Sequence, residues 1–261
     1  MNTDNIHSHQ QEHALQTAIA AVRRGRENGD LTPGDESGDP RFVTISREAG
    51  IDGHAVAGVL ASRLNLRLRD PDGPRWVVWD RHRLESVARD KTAGEVLDEA
   101  LSESASTWFL QFFSGLGVGH GAREAEESAL ERKMALLVRA LARAGNAIII
   151  GRAGVYATQD LPGGIHVRLV APLARRIADA VRAMRIPTQA AAEEVRRVDR
   201  ERNATHRRFC TGRALQAEHF SVTLNTAIVT PACAAQCVQL IIAEAEESAR
   251  APAASPSAVA S

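Results

Sequence analysis

Apolar residues along this chain fall into short β-branched runs separated by longer stretches with a period of three to four. Four runs read as strands, Arg41–Ser46, Asn146–Ile150, Ile165–Val170 and Phe220–Leu224, and Trp76–Trp79 is a further short apolar run. Near-continuous hydrophobicity marks a strand covered on both faces, as in a parallel sheet. Leu64–Leu68 alternates and predicts one more short strand. Between the runs, Val56, Val59, Leu60 and Leu64 share one helical face. His82–Ala88 and Ala93–Leu101 are helix-compatible, and Leu130, Met134, Leu137 and Leu141 stripe a long helix over Glu126–Ala144. Pro172 opens another helix, with Leu173, Ile177, Val181 and Met184 as its expected core face. Pro187 breaks it, and a basic helix runs from Gln189 to Arg208. Pro231 starts a closing helix that carries Val238, Ile241 and Ile242. Strands alternating with helices predict an α/β fold with right-handed crossovers and a largely parallel sheet. Ligands then bind beyond the carboxyl ends of the strands.

The ends of the chain look different. Leu15, Ile19 and Val22 suit a short amphipathic helix, but Glu27–Pro40 is rich in Gly, Asp and Pro and reads as a linker, so residues 1–40 are expected outside the core. His7, His9 and His13 lack acidic or thiol partners, and a disordered extension is the better reading of them. Ala249–Ser261 reads as a flexible tail, which leaves one domain over 41–248. Trp108–Phe113 is read as packing under a helical insertion, and the alternating glycines of Gly115–Gly121 as a loop between helices. They do not follow a strand, as a dinucleotide loop would.

Composition narrows the function classes. Lys+Arg and Asp+Glu both number 32, so net charge offers no argument for nucleic acid or a membrane surface. Three cysteines are too few for a disulfide framework and fit a reducing cytoplasm. Cys233 and Cys237 stand one helical turn apart with no further ligand to complete a metal set. No run has the length of a membrane span, and the N-terminus lacks a secretory pattern. A soluble cytoplasmic protein is expected.

Candidate chemistry gathers after the first strand, where Arg47-Glu-Ala-Gly50-Ile-Asp-Gly53-His54 leads into a helix. Strand, glycine loop and helix aim backbone N–H groups at an anion. The layout is that of a phosphate-binding loop, although the motif G-x-x-x-x-G-K-[ST] is not met. Asp52 replaces the second glycine, Gly53 falls at the lysine and His54 at the hydroxyl. An ordinary strand-to-helix turn is the competing reading. Gly50, Ile51, Asp52, Gly53, His54 and Ala55 are the candidate phosphate contacts. Arg47 is the first substitute for the lysine and His54 the second. The alternatives are a salt bridge from Arg47 to Glu48 and a packing or capping role for His54.

Five motifs in order then resemble the cytidylate-kinase-like family, a branch of the P-loop nucleoside-monophosphate kinases. They are Ile45-Ser-Arg-Glu…Gly50…Gly53, Ile148-Ile-Ile-Gly-Arg152, Val170-Ala-Pro-Leu173, Asp199-Arg-Glu-Arg202 and Leu224-Asn-Thr226. The resemblance spans residues 41 to 247. It implies a P-loop NTPase-like three-layer fold with a helical insertion and arginine-bearing lid helices. It further implies transfer of the ATP γ-phosphoryl to a nucleoside monophosphate, CMP first, with Mg²⁺ as metal and small nucleotides as partners. By resemblance Arg152 holds the monophosphate, although Ala153 stands where cytidylate kinases carry Asp. Arg197, Arg200 and Arg202 supply charge from the lid, the competing reading being a solvated face of i,i+4 pairs. Asn225 and Thr226 face base or ribose, or else form the turn that caps the strand. No residue set is assigned to the metal, which nucleotide phosphates, water and Asp52 would hold. The missing lysine and hydroxyl keep a second reading open, a catalytically silent nucleotide-binding module. A kinase for another small acceptor is the third, with residues 82–121 shaping its pocket.

Overall fold

A computed structural model of the 261-residue chain describes residues 15–23, 42–68, 73–103, 122–209 and 215–250. The histidines at 7, 9 and 13, the linker at 27–40, the aromatic run at 108–113, the glycines at 115–121, Cys210 and the tail from 251 lie outside these residues.

Five strands form one parallel sheet in the order β2-β3-β1-β4-β5. They are β1 (Phe42–Arg47), β2 (Val77–Trp79), β3 (Ala147–Ile150), β4 (Gly164–Val170) and β5 (Val222–Asn225). The central β1 aligns Phe42 with Ala147 on one side and with Gly164 on the other. The chain leaves β1 towards β2 and β3 and later builds β4 and β5 on the opposite side. The switch point of the topology therefore lies at the carboxyl end of β1.

Helices cover both faces. On one, α2 (Gly53–Asn65) and the closing α9 (Pro231–Arg250) pack Val56, Ala57, Leu60, Ala234, Val238 and Ile242 against Val43, Ile45, Ile148, Ile150, Val167 and Leu169. On the other lie α3 (Arg81–Arg89), α4 (Lys91–Glu103), α5 (Ala122–Ala144) and α6 (Arg152–Thr158), over Phe42, Trp79 and Ile149. Buried Arg139 of α5 grips Asp160 with both terminal nitrogens, at 2.6 and 2.7 Å, and donates to the Ala157 carbonyl, which fixes α6 under the sheet end. Two further helices, α7 (Leu173–Met184) and α8 (Thr188–Phe209), pair with each other through Ile177, Ala180, Val181, Ala191 and Val195.

Three expectations are corrected. The strand over 64–68 does not form: α2 runs to Asn65 and the chain turns at Leu66, which is exposed. Asn65 exchanges two hydrogen bonds with the Trp76 backbone, at 2.7 and 3.0 Å, and so directs the chain into β2. The stripe on α7 is rotated, because that helix packs on α8 rather than on the sheet; Leu173 and Met184 are exposed while Arg176 and Ala180 are buried. Finally, helix α1 (15–23) is packed onto the core, with Ala18, Ile19, Ala21 and Val22 buried beside α3, α4 and α5.

Candidate functional site

The loop after β1 is shaped by its glycines. Gly50 adopts φ +84°, and a Cβ there would stand 2.6 Å from the Arg176 carbonyl oxygen. Only a residue without a side chain tolerates both demands. A Cβ on residue 53 would stand 2.6 Å from Arg47 Cδ, so glycine at the lysine's place in the motif lets Arg47 lie across the start of α2.

The loop N–H groups are largely committed. Asp52 is the N-cap of α2, and its carboxylate accepts from His54 N at 2.9 Å and Ala55 N at 3.1 Å. Gly53 N donates to the Ile51 carbonyl, Ile51 N to that of Glu48, and Ala49 N to Asp199. The carboxylate thus occupies the place an anion takes at a helix N-terminus. His54 turns its Nε2 to Asp80 at 3.0 Å, bridging the start of α2 to the end of β2. Burial raises Asp80, but the Arg83 backbone N–H and then the His54 bond outweigh it and hold the carboxyl below its usual range. Ile51 packs its side chain on the α2–α9 side of the core.

A cavity of about 320 Å³ opens at the carboxyl ends of β1 and β3, between α3, α5, α6 and α8. Leu84, Met134, Val138, Ile149, Ile150 and Val198 line it with apolar surface, and Arg47, Arg81, Glu131, Glu201 and Arg202 bring charge. Its size lies within the range of small-molecule sites. Arg81 is paired to Glu85 and Glu201 to Arg197. Arg47 is different. Among the described residues its guanidinium forms no ion pair, and Asp80 and Asp52 act on it only at longer range. Burial first, and the charge of Arg202 second, push Arg47 down to about 10. Burial likewise lowers Arg202, whose Nη1 donates to the Arg47 carbonyl at 2.7 Å. Two desolvated cations side by side favour an anion between them.

Of the residues singled out from sequence, Arg47 and Arg202 meet at this cavity. Arg152 opens α6 directly after Gly151, which lines the cavity. Arg197 and Arg200 do not come in: both are exposed, and Arg197 is tied to Glu194 and Glu201 on its own helix. In this structure that part of α8 presents a face of i,i+3 and i,i+4 pairs to solvent. Asn225 ends β5 and Thr226 follows it, and neither lines the cavity; Asn225 accepts from Ala227 N, and Thr226 N donates to the Val170 carbonyl, as in a strand-ending turn. The salt bridge weighed for Arg47 is absent among the described residues, since Glu48 pairs with Arg176 instead. Sequence reasoning passed over Arg176, hidden in a helix whose face it rotated, and Asp80. The signal for Asp80 was its place at the carboxyl end of β2 before a helix.

A model of the cytidylate kinase-like family matches residues 42–228, most of the chain. No curated protein matches it. Among solved structures, an uncharacterized protein from Eubacterium ventriosum superposes with a TM-score of 0.58 at 15% identity, covering 80% of this chain and 99% of that one. At that identity the likeness concerns the fold alone, which is consistent with a P-loop-like architecture.

Proposed function

This chain belongs to the cytidylate kinase-like family, and on that premise we propose that it is a nucleotide phosphotransferase that passes the ATP γ-phosphoryl to a nucleoside monophosphate, with CMP as first acceptor. The observation that carries the reading is the pair of desolvated guanidinium groups, Arg47 and Arg202, on a cavity of about 320 Å³ at the switch point of the sheet. Phosphoryl transfer asks a protein for positioning and for positive charge around the transferring group. Arg47 and Arg202 hold the acceptor's phosphate and neutralise it, and by the family resemblance Arg152 serves the same phosphate. Leu84, Met134 and Val138 take the apolar face of the base and keep water from it. Residues 41–248 with helix α1 packed on their core form the working domain, and the cytoplasm is its compartment.

The described residues form no closed protein cage for magnesium. Among the described residues no three metal-ligating side chains converge, the loop hydroxyl is replaced by His54, and Asp52 is committed to its helix. Magnesium would enter with the nucleotide phosphates and keep several of its waters.

The capped loop favours a second reading, a module that binds nucleotide without turnover. Transfer of γ-phosphate from Mg·ATP separates the two, and calorimetry with CMP and with ATP tests the arginine site itself. The kinase reading expects CMP binding that falls about 10- to 100-fold in Arg47→Ala and in Arg202→Ala, the range of one charge-assisted contact. CMP affinity unchanged in both variants removes the arginine site from the account.

A further inference from the structure

The loop after β1, the turn after β4 and helix α8 meet on one side chain, Arg176. It is 8% exposed. Its Nε donates to the Ala171 carbonyl at 3.0 Å and lies 3.3 Å from a Glu48 carboxylate oxygen, which also accepts from Ala171 N. Its Nη1 donates to Asp199 at 2.6 Å and to the Ala49 carbonyl at 3.2 Å. The other Asp199 oxygen accepts from Ala49 N at 2.9 Å. Glu48 and Asp199 thus hold Arg176 from two sides, and all three hold the loop.

The consequence lies one turn along α8. Arg202, three residues after Asp199 and on the same face, reaches the Arg47 carbonyl and the cavity. Three guanidinium groups, those of Arg47, Arg176 and Arg202, crowd this corner. The charge of Asp199 favours the Arg202 cation while that of Arg176 opposes it. The fully buried apolar members there are small, Ala49, Ala180, Ala191 and Val195, with Ile177, Val181, Ile186 and Val198 packed half-buried against them. Charge and hydrogen bonds therefore act beside packing in setting position.

We propose that Arg176, held by Glu48 and Asp199, is a positioning residue that sets Arg202 beside Arg47 on the cavity, so that the acidic members of both motifs act on the loop and lid rather than on substrate. The inference rests on the proposed acceptor site. Misplacing a binding group by about 1 Å costs up to about 100-fold.

The test is a double-mutant cycle of Asp199→Asn and Arg202→Ala, read by CMP calorimetry and separately by phosphoryl transfer. Asparagine keeps the size and one acceptor while removing the charge. Asp199→Asn alone is expected to weaken CMP binding about 10-fold or more, and to add less than about twofold once Arg202 is gone. Arg175→Ala, on the same helix as Arg176 but in an exposed pair with Asp179, leaves binding unchanged. Losses that simply add, or native affinity in Asp199→Asn, overturn the positioning role. If Asp199→Asn does not fold, Glu48→Gln in the same cycle reads the same coupling. Coupling in CMP binding with no transfer keeps the positioning role and overturns the kinase. Failure of the native chain to bind CMP at millimolar concentration overturns both.

Discussion

Asp52 concentrates what is unusual about this loop. Its carboxylate serves His54 N and Ala55 N, and its charge opposes a phosphate at the same place. Asp52→Asn keeps a good cap and removes the charge. ATP affinity is expected to rise about 3- to 10-fold with the unfolding midpoint nearly unchanged; unaltered or weaker ATP binding would clear Asp52 as the obstacle. His166 gives a second test at this scale. Its Nδ1 lies 2.7 Å from Thr44 Oγ1, and burial pushes it down to about 4. A depressed histidine is neutral in the fold and charges more readily when unfolded. Its contribution is whole above its ordinary range near 6.5 and is lost as pH falls towards 4. Urea unfolding at pH 7 and pH 5 should differ by on the order of 1–2 kcal/mol through this residue. His166→Asn should remove that part of the slope, and an unchanged slope would mean another group carries it.

Among the elements, the β1–α2 loop is the least tolerant. Gly50→Ala must carry a side chain at φ +84° and push against the Arg176 backbone. A loss of about 2–4 kcal/mol in urea unfolding is expected, whereas a neutral change would mean that the loop relaxes freely. The elements themselves were largely legible. Four of the five parallel strands and the helices after β1, β2, β4 and β5 stood out, because continuous apolar runs and period-3.6 patterns differ physically; Trp76–Trp79 read only as a short apolar run, and the short α6 after β3 was not read. Leu64–Leu68 misled because a helix end followed by a turn can imitate alternation. The stripe of α7 misled because a helix packed on another helix, not on the sheet, can bury an arginine when carboxylates meet it. Of the site, Arg47 and Arg202 were legible from strand end and motif. Arg176 was not, because its partners lie 128 residues before it, at Glu48, and 23 after, at Asp199.

On the scale of the whole molecule, helix α1 closes one face of the core rather than trailing from it. Ile19 is 7% exposed in the cluster with Leu97 and Leu137. Ile19→Ala should cost about 2–4 kcal/mol in urea unfolding; no change would place the helix outside the folded unit. The fold puts an arginine pair at the switch point of a parallel sheet and fills the neighbouring helix N-terminus with a carboxylate. Its cationic site is therefore built from side chains more than from loop amides. The direct test is transfer of labelled γ-phosphate from Mg·ATP to a panel of nucleoside monophosphates, with Arg47→Ala and Arg152→Ala alongside. Transfer to CMP that falls at least about 10-fold in Arg47→Ala, with Arg152→Ala mainly raising the acceptor KM, is expected. Absence of transfer to every monophosphate, or native turnover in both variants, would contradict the assignment of this cavity to phosphoryl transfer.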